Sequence, residues 1–219
     1  CIKPKISIFP DRTEPLEEYT LQGEGTEKIL LISVNGFISD SKRGLPFARR
    51  PNTVQEVVAQ LRKAEKDDKI KAAILKIDSP GGSVTASDII YHEITGVKER
   101  SGAKIVALMM TVAASGGYYI ALPADSIMAH PTTITGSIGV VFLRPNITGL
   151  MGKIGVDVEV NKSGLNKDMG SPFRKATEEE QRIMQKLLEE LAERFVTLAT
   201  KHRRLNPEAR EQIASGRIY

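Results

Sequence analysis

Two short glycine-rich turns carry the residue types that acyl-transfer chemistry needs. One is Asp78-Ser79-Pro80-Gly81-Gly82-Ser83, the other Ala113-Ala114-Ser115-Gly116-Gly117. Each follows an apolar run that reads as a buried parallel strand, Ala72 to Ile77 and Lys104 to Met110, and each opens a helix. A backbone entering a helix presents N–H groups that have no intrahelical acceptor. Ser115 is the candidate nucleophile, and a serine hydroxyl needs both a base to take its proton and donors aimed at the developing oxyanion. The amide of Gly116 is one candidate donor. The amide of Gly82 is the other, with Gly81 shaping the turn, because glycine permits strained angles and close approach to a substrate carbonyl. Either turn alone is an ordinary strand-to-helix connection; their pairing at the ends of successive strands is what points to chemistry.

Three segments carry a resemblance to a known family: Asp78-Ser79-Pro80-Gly81-Gly82-Ser83-Val84, Ala114-Ser115-Gly116-Gly117-Tyr118-Tyr119-Ile120-Ala121 and Thr135-Gly136-Ser137-Ile138-Gly139-Val140. From about Lys28 to its last residue the chain resembles the signal peptide peptidase A family of Ser/Lys endopeptidases, within the Clp-protease and crotonase-like superfamily. The resemblance places the nucleophile at Ser115 and the general base in the later loop Lys162 to Pro172, where Lys167 is the expected residue. Lys162 is its competitor, read instead as a solvated end to the strand expected at Val156 to Val160. Ser137 is implied as the hydroxyl that orients the lysine amine. A lysine accepts a proton only when neutral, so burial must pull its pKa down, and Asp168 is expected to point away from Lys167.

A Ser-His arrangement is the internal rival, because His130 lies near the position of the histidine in the related Clp proteases. A triad also needs a carboxylate to orient the imidazole, and neither Asp78 nor Asp125 has persuasive spacing. The Ser/Lys reading is therefore preferred. His92 and His202 read as structural or solvated.

Composition bounds the remaining possibilities. The chain has 219 residues and a net charge of +4, with 31 basic residues interspersed among 27 acidic ones and 5% aromatics, a balance that does not indicate nucleic-acid binding. Its only cysteine is Cys1, which excludes an intramolecular disulfide and a cysteine-based metal site. The Ser/Lys pair needs neither metal nor cofactor. No apolar run is long enough to span a bilayer. A cysteine at position 1 fits a processed bacterial lipoprotein and fits an arbitrary start of the sequence; the first reading puts the protein on the extracytoplasmic, periplasmic side of a bacterial cell membrane. Residues 1–26, with Pro4, Pro10 and Pro15, are expected to form an extended arm, and residues 27–219 the peptidase domain. Gly216-Arg217-Ile218-Tyr219 resembles a point from which family members continue.

The elements that must position these residues alternate along the chain. Strands are expected at Lys28 to Val34, before each glycine turn, at Ser126 to Ala129 and at Val156 to Val160. Helices are expected from Thr53 toward Lys66 with a Thr53/Glu56 capping box, at about Ala86 to Glu99, at Gly116 to Leu122, near Thr148 to Lys153, and from Thr177 to about His202. The last carries an apolar stripe, Met184, Leu187, Leu191, Phe195 and Leu198, read mainly as a cover for the sheet. This alternation predicts an α/β layered fold with parallel pairing. The resemblance refines it to repeated β-β-α units in a single domain with a long C-terminal helix, assembled as ring-like homo-oligomers whose sites can be completed across subunits. It also implies hydrophobic peptide substrates such as remnant signal peptides, suited to an apolar pocket beside the turns. Two other function classes stand beside it: an acyl-CoA-handling crotonase-like enzyme using the same oxyanion hole, and an inactive membrane-tethered scaffold.

Overall fold

Branched aliphatic runs build a parallel sheet in the order β1-β2-β3-β4, from β1 (Lys28–Asn35), β2 (Ile70–Ser79), β3 (Lys104–Ala114) and β4 (Ser126–Ala129). This computed structural model describes residues 16–41 and 51–219; Cys1 and the three prolines of the expected arm lie outside the described residues. Sequential parallel strands joined by same-handed crossovers put their helices on one face. Here α1 (Thr53–Ala64), α2 (Val84–Ser101) and α3 (Gly116–Ala121) enclose the main core, in which Ile32, Val34, Ile77, Ile90, Met109 and Ile120 are fully buried.

Each principal strand ends in a second, shorter pairing before the chain enters its helix. After β1, Ile38 pairs with Gly82, which itself follows β2. β3 pairs with β4 over Val106–Met109 and then, beyond a bend, with β5 (Ile134–Gly136) over Val112–Ala114. The repeating unit is thus a long strand, a short strand and a helix, and the short pairings bring the glycine turns together at one end of the sheet.

Local chemistry places the helix starts, with one shift from the sequence reading. α1 is capped by Asn52: its side chain accepts from the Gln55 amide at 2.8 Å, and Gln55 Oε1 accepts from the Asn52 amide at 3.2 Å. Thr53, expected as the cap, instead donates its hydroxyl to Phe37 O. α4 (Thr148–Ile154) forms as expected, but Val156 to Val160 is not a strand. Its alternate valines are all exposed, and it pairs with no strand of the sheet.

The long helix α5 (Glu178–Arg203) is opened by the Thr177/Glu180 capping box. It lies on the helix layer, not on the sheet: Phe195, Val196 and Ala199 join Tyr91 of α2, and Tyr119 and Leu122 at α3, in a second core. Tyr91 Oη and His202 Nε2 are 2.8 Å apart, and burial lowers the His202 pKa, in keeping with a structural histidine. The first half of α5 extends past this contact, leaving Ile183 and Leu187 exposed. A short helix, α6 (Pro207–Ala214), follows, and Arg217–Tyr219 returns to β5.

Candidate active site

Ser115 stands at the junction of β3 and α3 in a conformation that L-residues rarely adopt, φ 50° and ψ −122°. Two hydrogen bonds hold it there: its amide donates to Gly136 O at 2.9 Å, and its carbonyl accepts from the Tyr119 amide at 2.9 Å. The Pro-Gly-Gly turn packs against this junction. Gly81 adopts φ 108°, with its amide donating to Ser79 Oγ at 3.1 Å, and on either side of Gly82 the chain pairs with Ile38, Ile38 N–H to Gly81 O and Ser83 N–H to Ile38 O, each 2.9 Å. The Gly82 amide takes no part in that ladder. The first amide of α3, Gly116, has no intrahelical acceptor. The two glycines are in close contact, since a Cβ on Gly116 would lie 3.1 Å from Gly82 N and 2.4 Å from Ser87 Oγ. Two amides free to donate therefore stand beside the strained serine.

Ser115, Ser137 and Gly82 line one cavity of about 270 Å³, walled by Val84, Val140 and Val141. Ser137 also has positive φ, 51°, and its amide donates to Arg217 O at 2.8 Å. A larger cavity, about 510 Å³, opens at the other end of the strands between the ends of α1 and α2; it is bounded by Leu61, Val97, Ile105 and the Glu65–Arg100 ion pair and holds none of the expected site residues.

Lys167 is not part of the Ser115 cavity. It is exposed, in a loop where its amide donates to Gly164 O. Asp168 is not paired with it: the carboxylate pairs with Arg174 at 2.7 Å and Lys162 at 2.8 Å, and these two cations, Arg174 first, hold its pKa well below the usual carboxylate range. Lys162 is thereby occupied, while Lys167 has no side-chain ion pair among the described residues. Arg174 also binds the buried Glu180, whose pKa it lowers to about 2 with help from the Thr177 amide.

His130 is not brought to Ser115 either. It is exposed, with Nδ1 2.9 Å from Thr132 Oγ1. The two nearby carboxylates are engaged elsewhere: Asp78 accepts from the Val112 amide, and Asp125 accepts from the Ile105 amide and pairs with Lys98. Among the described residues, no three His, Cys, Asp or Glu side chains stand together as a metal site.

Val84, Val140 and Val141 supply the apolar walls expected beside the turns, whereas Gly216, which also borders the cavity, escapes a reading of the sequence alone. Gly216 arrives because the segment after it pairs with β5, a contact between distant parts of the chain that leaves no local pattern.

Two family models match the chain. Residues 98–219 match the model of peptidase family S49, and residues 47–135 match that of the Clp proteases. The chain is 38% identical over 212 residues to a putative signal peptide peptidase SppA of Enterococcus faecium, covering 97% of this chain and 61% of that protein. It is 34% identical over 197 residues to the putative protease MJ0651 of Methanocaldococcus jannaschii, covering 90% and 62% of the two. Against protease 4 of Haemophilus influenzae the identity is 35% over 217 residues, with 98% of this chain covered and 33% of that protein. The chain thus spans about three fifths of the first two relatives and a third of the third.

Proposed function

Since the chain belongs to peptidase family S49, we propose that it is an endopeptidase that hydrolyses hydrophobic peptides through an acyl-enzyme on Ser115, with Lys167 as general base. The observation that supports this reading is the convergence of Ser115, Ser137 and the Gly82 amide on one cavity, with the Gly116 backbone packed against Gly82. In the proposed reaction, Ser115 Oγ attacks the scissile carbonyl and its proton passes to the neutral Lys167 amine, which the Ser137 hydroxyl orients. The Gly82 and Gly116 amides receive the oxyanion of the tetrahedral intermediate. The proton then goes to the leaving amine, and Lys167 activates the water that releases the acyl group.

Lys167 reaches this role from a neighbouring copy. In the single chain it is exposed and away from the Ser115 cavity, and a second subunit covering it would supply the burial that a neutral lysine base needs. Arg174 and Lys162 occupy the Asp168 carboxylate, which does not pair with Lys167. The valine walls suit an aliphatic side chain, and remnant signal peptides are the substrate class proposed, with the enzyme held at the extracytoplasmic face of a bacterial membrane by an N-terminal anchor. No helix among the described residues is long and apolar enough to cross a membrane.

The test is cleavage of a fluorogenic hydrophobic peptide from neutral to alkaline pH by the parent and the variants Ser115→Ala, Lys167→Ala and His130→Ala. Ser115→Ala and Lys167→Ala are expected to lose about 10⁴-fold or more in kcat while folding and assembling normally, with His130→Ala nearly unaffected. An active Lys167→Ala together with an inactive His130→Ala would install the Ser-His mechanism instead.

A further inference from the structure

Both serines of the site hang on one residue, Gly136. Its carbonyl accepts the Ser115 amide, and its own next neighbour is Ser137, so two positive-φ serines flank a single buried peptide segment. Such conformations persist only where the surroundings over-determine them. The support on the far side of Gly136 is the segment Arg217–Tyr219. It runs antiparallel to β5, with Tyr219 and Thr135 exchanging amide and carbonyl at 3.0 and 3.1 Å and the Ser137 amide donating to Arg217 O at 2.8 Å. The contact is as close as atoms allow: a Cβ on Gly136 would lie 2.7 Å from Arg217 O and 2.9 Å from the Tyr219 ring. The Arg217 guanidinium stands 5.6 Å from the centre of that ring, on the same side of the segment.

We infer that Tyr219, in the Arg217–Tyr219 strand, is a positioning residue that fixes Gly136 and through it the backbone of Ser115 and Ser137. Its ring does not border the cavity and touches no substrate there. It acts by filling the space against which Gly136 rests; without it, the Gly136 peptide is free to relax and the acceptor of the Ser115 amide moves. Displacements of this kind are costly, because a nucleophile misplaced by about 1 Å can lose about 10²-fold in rate. The inference rests on the reading of Ser115 as nucleophile.

The experiment compares Tyr219→Ala, Tyr219→Leu and Tyr219→Phe with the parent, measuring kcat and KM per active site titrated with a fluorophosphonate. Titration counts only competent sites, so a lost folded fraction does not register as a lowered kcat. Tyr219→Ala is expected to lower kcat per site by about tenfold to 10²-fold with KM within about twofold, and Tyr219→Phe to restore it, since the ring and not the hydroxyl makes the contact. Tyr219→Leu is expected to lose kcat in the same way, and it carries the test where Tyr219→Ala does not fold. Parent-like kcat per site in the Leu variant, or a loss confined to KM, overturns the inference. Ser115→Ala, run alongside, separates the two readings: if it retains activity, the nucleophile assignment falls and this inference with it, whereas an inactive Ser115→Ala beside an unaffected Tyr219→Leu overturns only the role of Tyr219.

Discussion

At Ser115 the backbone itself is part of the chemistry. Holding a non-glycine residue at φ 50°, ψ −122° costs about 1–3 kcal/mol, and the neighbouring glycines make the arrangement possible by leaving no side chain in its way. Gly82 is the sharpest case, for a Cβ there would sit 1.9 Å from Ile38 O and 2.6 Å from Ile38 N, both backbone atoms that no rotamer change can move. Gly82→Ala is therefore expected to push its amide away from the oxyanion position and to break the Ile38 pairing together. The measurable outcome is a fall of about 10²-fold or more in kcat/KM, the scale of losing one oxyanion donor, accompanied by a lower Tm; an alanine variant with parent activity would remove Gly82 from the oxyanion hole. Three residues that line the cavity were singled out in the sequence, Ser115 and Gly82 by short glycine turns and Ser137 by the family resemblance alone. Tyr219 was not, since a tyrosine on an exposed short strand acquires meaning only from the distant glycine it rests on.

Elements were legible to the extent that their determinants were local. The Thr177/Glu180 capping box and the glycine turns are set by residues within four positions of one another, and both formed where expected. The start of α1 moved because Asn52 and Thr53 compete for the same cap, and Asn52 wins while Thr53 bonds to Phe37. Val156 to Val160 alternates like a strand but meets no edge, which only the assembled sheet could reveal. The start of α5 has a further determinant, the Arg174 cluster, which ties Glu180 of the helix to Asp168 beside Lys167. Glu180 titrates at about 2 in the folded chain against an ordinary 4.5. A depressed folded pKa means that the unfolded chain takes up the proton first, so the stabilisation is fully present above about 4.5 and is lost as pH falls toward 2. Glu180→Gln is expected to lower Tm at neutral pH and to show a shallower decline than the parent through that acid window, with the two curves converging at its lower end. Thermal melts across pH check this; parallel curves would show that Glu180 contributes no linked stability.

The molecule as a whole presents apolar surface that a single chain leaves uncovered. Parallel sheets are ordinarily buried on both faces, yet on the face away from α1, α2 and α3 Ile29 and Met128 are exposed by 66% and 59%. Val141 at the cavity wall, with Leu143 and Leu165, is more exposed still, and the last of these lies two residues before Lys167. These features support the proposed assembly in which one subunit's Lys167 loop covers the next subunit's Ser115 cavity. That arrangement is head-to-tail, each site drawing its serine from one copy and its lysine from another. It has a consequence that no single-chain site shares. Ser115→Ala and Lys167→Ala proteins, each inactive alone, are expected to regain activity when unfolded together and reassembled in equal amounts, because about a quarter of the sites then combine an intact serine with an intact lysine from different chains. If serine and lysine belong to the same chain, every chain in the mixture carries one defect and no site is whole. Recovery near a quarter of the parent's specific activity thus assigns the lysine to a neighbour, and no recovery from a mixture shown to assemble returns it to the chain that holds the serine.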